Sequence, residues 1–113
     1  MFYEPTNQDT IELTPASRKP EEQNSVDEQT AKMILYHYES CFFSARVKRA
    51  IEILKLKIKL KDILETPEYG KELLEGGGSS MVPCLYFEDH PNSKGKFMYE
   101  SSDIVEYLGR KFS

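Results

Sequence analysis

The sequence predicts an α/β domain with the element order β-α-β-α-β-β-α, in which helices flank a mixed four-stranded sheet. Two observations support this prediction. From about residue 33 onward, short apolar and aromatic runs of strand length alternate with longer segments whose apolar residues recur at helical spacing. A strand, a helix and a second strand in succession imply two parallel strands joined by a right-handed crossover. With 113 residues, the chain is long enough for one such domain and too short for two.

The first strand and the first helix are predicted from an apolar run and an apolar stripe. The strand covers residues 33–38, an apolar and aromatic segment. The helix covers about residues 43–56, because four apolar residues fall at i, i+3, i+4 and i+7. These residues are Val47, Ala50, Ile51 and Leu54. Residues 58–63 then alternate apolar and charged side chains, which predicts a half-buried strand with Ile58 and Leu60 inward.

The second helix is delimited by residues that favour its two ends. Thr66 is a suitable N-cap, and Pro67 suits the first helical position, where its missing N–H is not needed. Leu73 and Leu74 supply the predicted buried face. The glycines at positions 76–78 end the helix, because glycine adopts a positive φ without a steric cost.

A hairpin and a last helix complete the domain. A third strand over residues 81–87 is entered through a proline, which must lie at its start because it cannot donate a ladder hydrogen bond. Residues 90–95 have turn composition, and residues 96–99 form the fourth strand. Ser101 is predicted to cap a helix over residues 102–112. Its apolar stripe consists of Ile104, Tyr107, Leu108 and Phe112.

Residues 1–31 form an acidic, polar leader that precedes the predicted domain of residues 32–113. The leader holds seven acidic residues against two basic ones, a net charge of −5, whereas the rest holds 12 acidic and 13 basic residues, a net charge of +1. These sum to the net charge of −4. Prolines and the lack of periodicity predict a flexible or extended arm, and residues 20–31 are compatible with a short docked helix.

Composition and patterning argue against several classes of function. No apolar run approaches the roughly 18 residues of a membrane span, and a signal-peptide segment is lacking, so we expect a cytoplasmic protein. The near-neutral body lacks the concentrated basic face of a nucleic-acid-binding protein. His37 and His90 stand alone and no CxxC or HxxxH pattern occurs, so no metal site is predicted. Cys41 and Cys84 are too few for a disulfide framework.

Cys41 is the candidate for a reactive thiol, because it lies where the first predicted strand turns into the first helix. The N–H groups at a helix N-terminus lack partners within the helix and carry a positive partial charge, which stabilises a thiolate. Arg46, Lys48 and Arg49 add cations within the first turns. Cys84 instead follows a proline into an apolar strand, a position typical of a buried structural cysteine.

Three separated segments together resemble a known family. They are Cys41 at a strand-to-helix turn, Val82-Pro83 at the entry to the third strand, and Tyr-Glu-Ser-Ser-Asp-Ile over residues 99–104, where the last helix opens. In this order and spacing they resemble glutaredoxins and the N-terminal domain of glutathione transferases, which share the thioredoxin fold. The resemblance covers about residues 33–113, and the leader resembles that of some bacterial glutaredoxin-like proteins.

The resemblance implies that several residues bind glutathione. Val82 and Pro83 match the family's cis-proline pair, whose valine backbone pairs with the cysteinyl part of glutathione. Glu100 and Ser101 match the pair that holds the γ-glutamyl ammonium and carboxylate groups, and a helix N-terminus suits a carboxylate. Phe43 completes the glutathione-binding set that the resemblance implies.

Cys41 matches the nucleophilic cysteine of the family's Cys-Pro-Tyr/Phe-Cys motif, and departures around it limit the chemistry. Ser44 replaces the second cysteine, which leaves a monothiol site in which the serine hydroxyl is expected to donate to the thiolate. Phe42 replaces the usual proline. It also differs from the glycine of the iron–sulfur-binding members, which carry Cys-Gly-Phe-Ser.

The resemblance therefore implies a glutathione-dependent thiol–disulfide oxidoreductase that removes glutathione from mixed disulfides through Cys41. Glutathione is its co-substrate, glutathionylated or disulfide-bonded proteins are its partners, and a monomer is expected. Two alternatives stay open. One is a noncatalytic glutathione-binding or protein-interaction module, and the other is a carrier of an iron–sulfur cluster ligated by glutathione.

Overall fold

A computed structural model describes residue 13 and residues 15–88 and 95–112. The helices and strands in these residues are α1 (Pro20–Thr30), β1 (Ile34–His37), α2 (Phe42–Ile53), β2 (Lys59–Asp62), α3 (Pro67–Gly77), β3 (Cys84–Phe87), β4 (Lys96–Met98) and α4 (Ser101–Phe112). From β1 onward this order confirms the predicted fold class. No helix in the described part of the chain is both long and apolar enough to cross a membrane. The predicted arm over residues 1–12 and most of the predicted turn over 90–95 lie outside the described residues.

The four strands form one mixed sheet with the order β2-β1-β3-β4. Strand β1 is parallel to β2 and antiparallel to β3, and β3 is antiparallel to β4. The carboxyl ends of β1, β2 and β4 and the amino end of β3 therefore lie at the same end of the sheet. We call this the thiol end, and its strand residues are His37, Asp62, Met98 and Cys84.

The core lies on both faces of the sheet. Because successive strand residues point to opposite faces, Leu35 packs on the side of α2 and α4, whereas Tyr36 packs on the side of α3. The predicted apolar stripe of α2 is buried in the larger cluster, together with residues of α4. On the other face, Leu73 is fully buried beside Tyr36 and Cys84.

Two apolar residues predicted to face inward are exposed. Leu60 is 46% exposed although Ile58 is buried, because β2 lies at the margin of the sheet, where the helix layer covers it less. Leu74 is 51% exposed, because it lies one residue, or about 100° of helical rotation, away from the buried Leu73. Apolar patterning identified these elements correctly but not the exposure of each residue.

The helix termini refine two further predictions. Helix α3 begins at Pro67, directly after Thr66. Its last helical residue is Gly77, and its C-cap is Gly78, whose φ of 90° is left-handed. Gly76 and Gly77 lie within α3 rather than beyond it, so only the third glycine terminates the helix. Helix α4 begins at Ser101, one residue earlier than predicted, so Ser101 is the first helical residue and not the cap.

The segment before β1 packs against the ends of α2 and α4. The N–H of Ala16 donates to the carbonyl of Ile53 at 3.0 Å. The guanidinium of Arg18 donates to the carbonyls of Leu54, at 2.7 Å, and of Phe112. Val26 of α1 is buried in the larger core. Part of the acidic leader is therefore integrated with the folded body through specific contacts.

Candidate functional site

The topology of the sheet brings the predicted site segments to one end. Cys41 follows β1, Val82-Pro83 precedes β3, and Glu100 follows β4. Each segment adjoins the strand terminus that lies at the thiol end, because β3 runs opposite to the other three strands. Residues separated by about 60 positions in the sequence therefore share one end of the molecule.

Cys41 is held at the N-cap position of α2. Its backbone is extended, with φ −77° and ψ 117°, and its N–H donates to the carbonyl of Tyr38 at 3.0 Å across the preceding turn. The Sγ atom accepts the N–H of Ser44 at 3.4 Å, within the range for a sulfur acceptor. The N-terminus of α2 therefore directs a backbone donor at the sulfur, as expected from the strand-to-helix pattern.

The thiol is less accessible than a reactive thiolate requires on its own. Cys41 is only 7% exposed. Its Sγ accepts the N–H of Ser44, so the sulfur lies against the first turn of α2. A substrate must therefore approach along the small accessible part of the residue, which favours a shaped binding site over random encounter.

Ser44 lies beside the sulfur, but its hydroxyl does not donate to Cys41 Sγ as the sequence predicted. The residue is fully buried, and its Oγ has no hydrogen-bond partner in the described residues. The donor to Cys41 Sγ is the backbone N–H of Ser44, not its hydroxyl. Ser44 is the third residue of α2 and lies on the buried face of that helix, so its side chain points toward the core.

Two of the three predicted cations have partners other than the thiol. Lys48 Nζ lies 3.1 Å from a carboxylate oxygen of Glu39 in an ion pair. The guanidinium of Arg46 lies 5.9 Å from the ring centroid of Phe42 and 5.6 Å from that of Phe43, within cation–π distance. The contact with Cys41 Sγ that the structure describes is therefore the backbone N–H at the start of α2.

Phe42 and Phe43 form an exposed aromatic pair directly after the thiol. Their rings meet edge to face with centroids 5.7 Å apart. Phe42 is 74% exposed and Phe43 is 54% exposed. Phe42, which stands where the Cys-Pro-Tyr/Phe-Cys motif has proline, therefore presents its ring to solvent.

The segment before β3 presents Val82 and Pro83 at the thiol end. The peptide bond between them is cis. Pro83 is buried and Val82 is half-buried. Cys84, which follows, is fully buried, and burial raises the pKa of its thiol to about 12. Cys84 is thus a neutral core residue at physiological pH, as its sequence position suggests.

Glu100 and Ser101 stand at the N-terminus of α4. The carbonyl of Glu100 accepts the N–H of Ile104 at 2.9 Å, which makes Glu100 the residue before the first helical turn. The Glu100 side chain is exposed and Ser101 is half-buried. The first N–H groups of a helix have no acceptor within it, so this terminus can bind a carboxylate.

His37 is a site feature that the sequence did not reveal beyond its place in a strand. The residue is only 6% exposed, and its Nδ1 has no partner in the described residues. It pairs in register with Asp62 of β2. Burial, and then the nearby Lys48, lower the pKa of His37. Strand alternation after the buried Leu35 is the signal that places His37 on the inward face.

The described residues contain two free cysteines and no cluster of three or more histidine, cysteine or carboxylate side chains that could hold a metal ion. Both cysteines are buried. The thiol end holds the Cys41 sulfur with its backbone donor, the exposed Glu100 and the α4 N-terminus, while the second sulfur, that of Cys84, is fully buried.

Comparisons with known proteins show the family and the fold of the chain. Residues 35–113 match the family model described as "Glutathione S-transferase, N-terminal domain". An epsilon-class glutathione S-transferase from the housefly Musca domestica has a similar structure, with a TM-score of 0.57 and 20% identity over 72% of this chain and 35% of that one. Glutathione transferase Omega 3C from Trametes versicolor gives a TM-score of 0.59 and 21% identity over 86% and 42%.

A glutaredoxin also shares the fold. Oxidized glutaredoxin 2 from Chlamydomonas reinhardtii gives a TM-score of 0.50 and 20% identity, over 80% of this chain and 84% of that one. The chain thus spans most of that glutaredoxin but only 35% of the housefly transferase and 42% of the Trametes versicolor enzyme. A search of curated proteins found no match.

Proposed function

Because the chain belongs to the glutathione S-transferase N-terminal domain family, we propose that it is a glutathione-dependent thiol–disulfide oxidoreductase acting through Cys41. The observation that carries this proposal is the backbone donor on the sulfur. The N–H of Ser44 points at Cys41 Sγ from the start of α2, so a backbone donor is in place for negative charge that develops on the sulfur during the reaction. The family supports a function that involves glutathione. The monothiol route through Cys41 is the part that we propose.

The reaction consists of two thiol–disulfide exchanges. In the first, the Cys41 thiolate attacks the glutathione sulfur of a mixed disulfide; the old S–S bond breaks, and the substrate leaves as a thiolate that takes a proton from water. In the second, the thiolate of a free glutathione attacks the Cys41–glutathione disulfide. Glutathione disulfide leaves and the Cys41 thiolate is regenerated. Ser44 has no thiol, so a second glutathione must complete each cycle.

Glutathione is proposed to lie across the thiol end, where separate groups of the protein bind its γ-glutamyl and cysteinyl parts. The α4 N-terminus and Ser101 receive the γ-glutamyl carboxylate, and the exposed Glu100 receives the ammonium group. The backbone of Val82 pairs with the cysteinyl part, and Phe43 packs against the bound tripeptide. This placement would direct the glutathione sulfur toward Cys41 despite the low exposure of that residue.

The burial of Cys41 favours a second candidate function, a noncatalytic module that binds glutathione or a protein. In that case the site would hold glutathione while the sulfur, 7% exposed, does not turn over. In both candidates we propose a cytoplasmic monomer, and sedimentation velocity is the direct measurement of its mass.

A coupled assay tests the proposal. The purified protein, glutathione, a glutathionylated small thiol and glutathione reductase with NADPH report the release of glutathione disulfide. We expect turnover in the wild type and in Cys84→Ser, whose thiol is buried and neutral, and a loss of at least about 100-fold in Cys41→Ser, as for removal of a nucleophile.

Equal turnover in Cys41→Ser would contradict the proposal. Glutathione binding measured by calorimetry, with no turnover in any form of the protein, would instead support the noncatalytic module. Visible absorbance after anaerobic purification would support the iron–sulfur alternative.

A further inference from the structure

Among the described residues, the three most exposed large apolar side chains all belong to the thiol end. They are Phe42 at 74%, Met81 at 68% and Leu64 at 65%. Phe42 follows Cys41, Leu64 follows β2 by two residues, and Met81 precedes Val82. We call these three residues the apolar rim. They come from three separate segments of the chain, so their common location is a property of the fold.

The position of the rim follows from the strand directions. The N–H of Ile63 donates to the carbonyl of His37 at 2.9 Å, which places the segment of Leu64 beside the end of β1. Met81 lies before the amino end of β3, which points the same way as the carboxyl end of β1. Single exposed apolar residues are ordinary on protein surfaces, but apolar side chains gathered around a chemical site mark a binding surface.

Exposed carboxylates lie at the same end as the rim. Glu65 follows β2, and Glu68 and Asp103 lie in the first turns of α3 and α4. Two cations of α2 are already in contact with residues at this end: Lys48 pairs with Glu39, and Arg46 lies over the ring of Phe43. An apolar surface with peripheral carboxylates is complementary to an apolar segment flanked by lysine or arginine.

We propose that the apolar rim docks a peptide segment of a protein substrate, in which apolar residues adjoin the glutathionylated cysteine and basic residues lie further out. This inference rests on the proposed function and specifies its substrate class. The segment packs on Phe42, Leu64 and Met81, which brings its mixed disulfide to Cys41. The exchange itself is unchanged: the sulfur of Cys41 takes the glutathione, and the peptide leaves as a thiolate. The rim therefore contributes to the selection of the substrate and not to the chemistry.

Peptide substrates with different flanks provide the test. Four glutathionylated substrates are compared in the coupled assay: a small thiol, a Gly-Ser peptide, an apolar peptide with basic ends and an apolar peptide with acidic ends. For the wild type we expect kcat/KM to be about tenfold higher for the apolar, basic peptide than for the Gly-Ser peptide, with the acidic-ended peptide between them.

Substitutions in the rim should reduce only this preference. We expect Phe42→Ser, Leu64→Ser and Met81→Ser each to lower kcat/KM for the apolar, basic peptide by about three- to tenfold, and to leave the small thiol within about twofold of the wild type. Leu74→Ser is the matched control, because Leu74 is 51% exposed but lies on α3 beside the inward Leu73. It should change neither value.

Four outcomes would overturn the inference. Equal kcat/KM values for all peptides would remove the docking role, as would rim variants that reduce small-thiol turnover as much as peptide turnover. A concentration-dependent dimer, detected by sedimentation and lost in Phe42→Ser, would assign the rim to a second copy of the chain. Absence of small-thiol turnover in the wild type would overturn the proposed function itself, and with it the substrate role of the rim.

Discussion

At the residue scale, the environment of Cys41 combines a well-placed donor with polar atoms that lack partners. The N–H of Ser44 points at the sulfur, whereas the Ser44 hydroxyl and His37 Nδ1 are both buried without a hydrogen-bond partner in the described part of the chain. An unpaired buried polar group costs free energy in the folded state. Both residues lie at the junction of β1 and α2, the segment that also holds Cys41.

His37 makes the stability of the protein depend on pH. Burial, and then Lys48, lower the pKa of His37 below its ordinary value of 6.5, against smaller opposite effects of Asp62 and Glu39. Between about pH 6.5 and the lowered pKa of the folded state, His37 is protonated more in the unfolded chain than in the folded one. The free energy of unfolding therefore decreases as the pH falls through this window. Above that window His37 is neutral in both states and does not reduce the free energy of unfolding. One titrating group changes the free energy of unfolding by at most about 1.4 kcal/mol per pH unit.

Urea unfolding of the wild type and of His37→Gln between pH 5 and 8 measures this effect. We expect the free energy of unfolding of the wild type to fall more steeply below about pH 6.5 than that of the variant. Parallel profiles would show that His37 has the same pKa in the folded and unfolded states.

At the scale of the element, the glycines of α3 show how a helix terminus is shaped by its neighbours. A Cβ built on Gly77 would overlap the Tyr99 hydroxyl and lie 3.0 Å from Cγ of Phe97. Tyr99 cannot move away freely, because its hydroxyl donates to the carbonyl of Ser79 at 2.9 Å. Glycine in a helix interior is unfavourable relative to alanine, so close packing of β4 against α3 explains why it is present.

Gly77→Ala should therefore destabilise the protein by about 1–3 kcal/mol, the usual cost of overpacking. Gly70→Ala is the matched control in the same helix, since a Cβ there meets its nearest neighbour, Cβ of Ile63, at 3.7 Å. Because alanine favours a helix by up to about 1 kcal/mol relative to glycine, this control should be neutral or stabilising. Chemical denaturation compares the two, and equal stability of both variants would refute the packing explanation.

At the scale of the whole molecule, Arg18 joins the leader to the domain. Its guanidinium bonds the terminal carbonyls of α2 and α4 and the side chain of Gln23 in α1, at 3.1 Å for the last contact. A cation at a helix C-terminus also complements the negative end of the helix dipole. One side chain thus stabilises three helices that are distant in sequence.

Arg18→Ala is expected to destabilise the protein by about 1–2 kcal/mol, less than a fully buried charged hydrogen-bond network because the guanidinium is partly exposed. Lys19→Ala, which alters the exposed neighbouring residue, should have a much smaller effect. Thermal unfolding monitored by circular dichroism checks both variants. A melting temperature unchanged by Arg18→Ala would show that the leader contributes no measurable stability to the domain.

Much of this architecture was accessible from the sequence because it depends on local chemistry. Helical stripes, strand runs and Pro67 identified the elements of the domain and their order. The strand-to-helix position of Cys41 predicted an N-cap thiol, since helix polarity is set by the backbone alone. The mixed sheet followed from chain connectivity, because a helical crossover implies a parallel pair and a short turn implies an antiparallel one.

Only the tertiary structure decided which side chains these elements expose or bury. Leu60 and Leu74 match apolar patterns but are exposed, because their surroundings depend on the sheet margin and on the angular position within α3. His37 is buried although it is a polar residue at the end of β1, where it pairs in register with Asp62 of β2. The contacts of Arg18, and the gathering of Phe42 with the other rim residues, join segments distant in sequence. Local sequence determines backbone conformation through nearby atoms, whereas burial and contact depend on the packing of the whole chain.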